Sequence, residues 1–321
     1  MNRHKRELKR LQHSVHMFSD IAGTRPPKEY GDTHYSRMLV EDAANGLVPY
    51  GDSSKFAITL EPENPELEYL IGEGLDREGY RPDLSDSVRN FLREATQTVL
   101  ACREATYEIV YFSDPETEKL VTFGLSFILP WTLKRQRDGW VQTVPPAYAE
   151  RIKGQSQIHL PADAVLQLRL PPTIERYFVP MMADLENLGR DMYPKFGMPV
   201  PGNPVRDIGF EFQEWKKWHN IAIAQATREA GWNARNSFPN EMTEFYFVQR
   251  FLRFERFKLE IRESLVSQLN EMLRTVGKRL SFSAKITVSG LPDAAQIDQS
   301  MQELESGAAS FGDVMKPYMS Y

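Results

Sequence analysis

The sequence predicts an α+β protein, with a strand-rich first half and a mostly helical second half that closes on a short strand and a helix. Three observations predict it. Between positions 56 and 170, short β-branched and aromatic runs are separated by turn signals such as Asp114-Pro115 and Asp138-Gly139. The pair Pro171-Pro172 ends that texture. Beyond it apolar residues recur at helical spacing, most persistently over 243–278, where Phe247, Phe251, Phe254, Leu265, Leu269, Met272 and Val276 keep the period.

Taken in order, residues 1–55 are polar and irregular and read as an N-terminal arm that becomes ordered mainly against neighbours. A strand is expected over 56–60, followed by the turn-rich stretch Glu61-Pro-Glu-Asn-Pro65. A helix comes next, with Asp83 or Ser85 as N-cap and Val88, Phe91, Leu92, Ala95 and Val99 forming its buried face. Strands over 107–112, 120–129, 140–144 and 165–170 complete an α+β unit.

In the second half, 173–192 forms a helix that Pro180 should kink or divide. Residues 193–204 are too dense in proline and glycine to be helical. A second helix spans 212–229, with Trp215, Trp218, Ala222 and Ala226 on a core stripe, so that Lys216 and Lys217 turn toward solvent or a channel. Between Gly231 and Pro239 lies a loop carrying Trp232, Asn233, Arg235 and Asn236. It reads either as a helix–helix connector or as a loop projecting toward DNA. The long helix, roughly 50 Å at 1.5 Å per residue, follows. A strand over 285–288, the turn Gly290-Leu-Pro292 and a helix over 294–305 finish the pattern.

The 321 residues are 41% hydrophobic and 26% charged, the balance of a globular protein able to bury a core. The net charge of −5 is the opposite of the basic excess that chains gripping phosphates carry, so any contact with DNA must be local or loose. Cys102 is the sole cysteine, which excludes an intrachain disulfide and a cysteine zinc site. It reads as a small core residue in a chain made in a reducing cytoplasm. No apolar run reaches membrane-spanning length. The basic start, from Arg3 to Arg10, is a solvated helix end or an arm that meets nucleic acid.

Signatures of catalysis are missing. The sequence has no phosphate-cradling Gly-x-x-x-x-Gly-Lys loop, no His-Glu-x-x-His pair and no Gly-x-Ser-x-Gly elbow. His13 and His16 lie about one helical turn apart, without an evident third ligand. The acidic groups Glu61/Glu63, Glu66/Glu68 and Asp114/Glu116/Glu118 fall in turns, where carboxylates are ordinarily solvated. Arg250, Arg253, Arg256 and Arg262 read either as a phosphate path or as partners of Glu255, Glu260 and Glu263 on the same or a neighbouring helix, with pairing between subunits favoured in an acidic chain.

The order of elements resembles the portal, or head-to-tail connector, family of tailed bacteriophages. Val88-Arg-Asn-Phe-Leu-Arg-Glu-Ala95, leading through Cys102-Arg-Glu-Ala-Thr106 to Tyr107-Glu-Ile-Val110, is similar to that family's wing helix and the strand after it. Leu129-Pro130 and Leu160-Pro-Ala-Asp-Ala-Val165 look like its proline-marked strand entries. Gly290-Leu-Pro292, Leu304-Glu-Ser-Gly307 and Phe311-Gly-Asp313 resemble its closing strand, helix and glycine turn.

The resemblance covers about 55–315. It implies a wing over 56–170, stem helices over 171–230 with a short clip at 193–207, a tunnel loop at 231–241, a long helix over 242–280 and a C-terminal wing or crown segment over 281–321. The clip is far shorter than in many portals.

The function implied is a non-enzymatic ring subunit, a dodecamer at one capsid vertex, through which double-stranded DNA is packaged and ejected. Implied partners are further copies of the chain, terminase, capsid or scaffold protein and a head-tail adaptor, with no cofactor, metal or membrane. The implied location is the virion, with the host cytoplasm during assembly. Trp232, Asn233, Arg235 and Asn236 would face DNA. Lys216, Lys217, Arg250, Arg253 and Arg256 would face the channel or an adjacent subunit, and Lys195, Phe196 and Arg206 would dock partners at the clip. Two other readings stand beside this one: a minor capsid or adaptor protein, and a metal-dependent nuclease using the acidic groups.

Overall fold

The structure is a computed structural model that describes residues 8–17, 31–49, 56–76, 83–149, 154–190, 212–235 and 242–318. The chain is α+β. Its first half contains β1 (Lys9–Leu11), α1 (His34–Leu47), β2 (Ala57–Glu61), α2 (Pro65–Leu75), α3 (Leu84–Cys102), β3 (Glu104–Ser113) and β4 (Leu120–Ile128). Then come β5 (Leu133–Gln136), β6 (Gly139–Thr143), the single turn α4 (Pro146–Ala149), β7 (Gln157–Pro161) and β8 (Val165–Arg169). The second half holds α5 (Pro172–Arg190), α6 (Phe212–Ala226), α7 (Glu244–Leu280), β9 (Lys285–Ser289), α8 (Ala294–Ser306) and α9 (Phe311–Met315).

Local chemistry sets the helix ends. Asp83 starts α3 by accepting the Asp86 N–H, and the left-handed Arg103 stops it. The Thr243 hydroxyl accepts the Tyr246 N–H at the start of α7, and the left-handed Ser281 ends that helix 37 residues later. Pro180 does not divide α5. One backbone hydrogen bond is lost, but Ile174, Phe178, Met181, Met182 and Leu185 bury one continuous face and hold the helix together.

Strand β3 organises the main sheet. Antiparallel β4 runs along one edge, while β8 (against Glu104–Glu108) and β1 (against Tyr111–Ser113) share the other. A second sheet has the order β5-β6-β7, and β2 pairs with β9 from Ala57↔Ser289 to Glu61↔Lys285. That last pairing ties the C-terminal segment to the beginning of the α+β unit. One core cluster joins α1, α3, β3, α5 and α7, so the change of texture near position 170 is not a boundary of packing.

Two expectations, on the arm and on Cys102, are corrected here. The 1–55 arm is not simply irregular: α1 buries Leu39, Val40, Ala43, Ala44 and Leu47 against its own chain, and β1 joins the sheet. The long helix is covered to a large extent by its own chain. Phe257, Ile261, Leu265 and Leu269 enter the main core, and Val248, Leu252 and Leu259 pack with Ile297, Leu304 and Val314 of α8 and α9. Cys102, at the last turn of α3, is half-buried rather than fully buried.

Candidate functional site

Of the residues singled out from sequence, Trp232, Asn233, Arg235, Arg250 and Arg253 meet at the elbow between α6 and α7. The chain leaves α6 through a turn in which the Gly231 N–H donates to the Thr227 carbonyl at 2.8 Å. Gly231 is required here: its φ is +75°, and a Cβ would sit 2.9 Å from Phe254 N and closer still to the Arg250 carbonyl oxygen. The elbow therefore presses directly on the α7 backbone. Ala234 and Arg235 continue in the left-handed region, at φ 54° and 56°.

Arg250 is the hub of this elbow. It is wholly buried. Its Nε donates to Asn233 Oδ1 at 2.9 Å, Nη1 to the Ala224 carbonyl at 2.8 Å, and Nη2 to Thr227 Oγ1 at 2.7 Å and to the Trp232 carbonyl. The guanidinium also lies 5.7 Å from the Tyr246 ring centroid. Burial lowers its pKa, with Tyr246 opposing; an arginine so placed remains charged at neutral pH. Its planar fork thus crosslinks the end of α6, the elbow and α7. Arg253 adds a bond from Nη1 to the Arg228 carbonyl at 3.3 Å.

A second layer comes from α1. The indole Nε1 of Trp232 donates to Asp42 Oδ2 at 2.9 Å, and Arg235 reaches Asp42 at 2.6 Å and Glu41 at 3.0 Å. Hydrogen bonds to Asp42, then to Glu41, raise the Arg235 pKa.

These contacts correct several assignments. Trp232 is 2% exposed and Arg250 is fully buried, so neither side chain faces a channel from this chain. Buried and bonded within the chain, the indole and the guanidinium act as an internal brace. Asn233 is occupied by Arg250, and it donates to the Phe247 carbonyl at 3.4 Å. Arg256 pairs within the chain, with Glu260 at 3.3 Å and Asp298 at 2.9 Å, rather than between subunits. Arg262 likewise donates to the Leu47 and Pro292 carbonyls.

Trp218 is no core residue. It is 63% exposed, because the inward stripe of α6 runs through Trp215, His219 and Ile223, with Trp215 stacked on His219 at 4.8 Å. Lys216 and Lys217 are exposed, and neither makes an ion pair among the described residues. Asn236 and the clip residues Lys195, Phe196 and Arg206 lie outside the described residues.

Sequence reasoning missed Asp42, Glu41 and Thr227. The two acids sit in α1, about 190 positions from their partners, and no local spacing signals such a contact.

The acidic groups have local explanations. Asp114 accepts the N–H groups of Glu116 and Thr117, the arrangement of an Asx turn, and these bonds hold its carboxyl below the usual range. Glu66 and Glu68 lie in the first turn of α2, where the helix dipole favours them. His13 packs against Glu108, its Nδ1 3.0 Å from the carboxylate. Among the described residues no group of three or more His, Cys, Asp or Glu side chains could hold a metal ion, and no helix is long and apolar enough to cross a membrane.

No family model and no curated protein matches the chain. Solved chains similar to it include three from gene transfer agent particles. One belongs to the neck of an empty gene transfer agent particle computed with C6 symmetry; it is 12% identical, covers 88% of each chain and has a TM-score of 0.48. Another comes from the virion of the native gene transfer agent particle, at 11% identity, 93% and 94% coverage and a TM-score of 0.46. A third, from the neck of the native particle computed with C12 symmetry, is 11% identical, covers 94% of this chain and 97% of its own, and also scores 0.46. With TM-scores below 0.5, these are distant similarities.

Proposed function

We propose that the chain is a subunit of a portal-type ring at one vertex of a phage-like capsid, a dodecamer with a central channel for double-stranded DNA. The observation that carries this reading is the succession of α5, a short proline-rich segment at 193–207, α6, a braced elbow and the 37-residue α7. This is the order in which the portal-family resemblance places stem, clip, stem, tunnel loop and long helix. A conduit subunit needs its second stem helix held at a fixed angle to the long helix, and the Arg250 brace between α6 and α7 supplies that rigidity.

The charge distribution suits the role. An acidic subunit that presents a few cations, repeated around a ring, touches DNA weakly and lets it slide. Lys216 and Lys217 are the cations that this reading turns to the channel, with Trp218 beside them. The elbow serves as the support of that surface rather than as its contact. Clip residues Lys195, Phe196 and Arg206 would dock terminase and the head-tail adaptor, while the α+β unit would meet capsid or scaffold protein. No step of this function calls for catalysis or a cofactor.

The double variant Lys216→Glu/Lys217→Glu tests the channel role. Both side chains are exposed, so folding and assembly should be unchanged, while DNA retained per particle should fall roughly tenfold or more as four units of charge change in every subunit. Packaging at the parental level, measured as protected DNA per assembled particle, would remove α6 from the channel wall.

A further inference from the structure

The N-terminal segment 8–17 is bound to the rest of the chain as a peptide is bound to a receptor. Strand β1 adds to the edge of β3 that β8 leaves unpaired. Beyond it the segment is gripped by side chains instead of strands. Glu108, on β3 and 0% exposed, accepts the N–H of His13 at 2.6 Å and that of Ser14 at 2.8 Å. Gln142, on β6 and also 0% exposed, accepts the Val15 N–H and donates to the Val15 carbonyl, both at 2.9 Å. Its carboxamide thus imitates one residue of a pairing strand. Met17 and Val15 then fill an apolar socket made by Leu129, Val144 and Tyr148.

Two consequences follow. Among the described residues, the hydrogen bonds to the Glu108 carboxylate and the Gln142 amide come from this strap, so an empty groove would leave a buried charge and a buried amide unpaired. The groove must be filled. Yet most of the grip is on backbone N–H and C=O groups of an extended segment, which is strand-addition recognition and is indifferent to which copy supplies the strap. The strap is joined to α1 through positions 18–30, a length of chain that extended would reach roughly 45 Å.

We propose that the strap is exchanged between copies: residues 8–17 of one subunit fill the β3/β6 groove of the next, each groove taking one strap around the closed ring. A heterologous ring conserves every bond described above while linking subunit to subunit. The proposal rests on the ring reading.

Disulfide trapping tests it. Lys9 faces Ser113 in the β1–β3 register, within the range that a disulfide spans, and Cys102→Ser removes the native thiol. Chains carrying only Lys9→Cys and chains carrying only Ser113→Cys, distinguished by size tags, are co-expressed in that background, purified as assembled and oxidised. Exchange predicts a disulfide-linked pair of one chain of each kind, and a covalent ladder from the chain bearing both substitutions.

A double-cysteine chain that closes only on itself, with no mixed pair, overturns exchange. So does the absence of crosslinking in both experiments. Mass measurement of the unoxidised Cys102→Ser chain reads assembly independently. Rings with self-closed straps end the exchange proposal alone, whereas a monomeric chain ends the ring reading as well.

Discussion

Arg250→Ala should destabilise the chain by about 3–5 kcal/mol, read as a lower urea midpoint at unchanged slope. Each hydrogen bond from a charged donor contributes about 1.5–3 kcal/mol, and Arg250 makes four within bonding distance. The sum is not realised in full, because removing the guanidinium also relieves its own desolvation. What persists is the cost of leaving the Ala224 carbonyl without its donor, while the Trp232 carbonyl falls back on the Thr227 hydroxyl at 3.0 Å. Arg250→Met keeps most of the volume and removes the donors, so it should be nearly as damaging. Arg250→Lys keeps the charge but cannot reach acceptors spread around a planar fork, and should recover less than half of the loss. Loss under 1 kcal/mol in both Arg250→Ala and Arg250→Met would show that the elbow is not braced this way.

Gly231→Ala should cost about 2–4 kcal/mol, from two separable causes. A β-carbon at φ +75° carries a left-handed penalty of about 1–2 kcal/mol. The same carbon overlaps the α7 backbone at Arg250 and Phe254, so the elbow must lift away from the helix. Lifting it breaks the Arg250 bonds already counted. The double variant Gly231→Ala/Arg250→Ala should therefore lose clearly less than the sum of the two single losses. Full additivity, measured by urea unfolding of all four chains of the cycle, would mean that the glycine and the arginine act on different parts of the structure.

Local signals carried much of this fold. The Asp83 cap, the apolar face of α3, the strands near 107–112 and 165–169 and the long α7 are each written in a single periodicity or a single capping residue. Elements missed from sequence lack such a signal or depend on distant partners. Strand β1 is three residues long and exists through its pairing with β3, about a hundred positions away. Helix α1 has a mixed surface, no acidic residue in its first turn and no basic residue in its last; beyond the Thr33 and Ser36 cap at its start, its fit against α3, α5 and α7 fixes it.

The site was half legible for the same reason. Position 231 demanded a turn and position 235 offered a charge, which drew attention to the elbow. That Trp232 and Arg250 point inward follows from Asp42, Ala224 and Thr227, whose approach is a property of the tertiary fold. A basic residue on a helix and a tryptophan in a loop look alike in sequence whether they brace a core or line a channel. Trp218 went the other way, assigned to a core stripe and found at the surface, because α6 turns its Trp215–His219–Ile223 face inward.

The central claim is that the chain assembles into a closed ring with a hole wide enough for duplex DNA. Electron microscopy of the purified full-length protein, across low and moderate salt, tests this most directly. The account predicts closed rings with a central channel, formed by the chain alone and retained in Lys216→Glu/Lys217→Glu. Monomers or open filaments under every condition would contradict it.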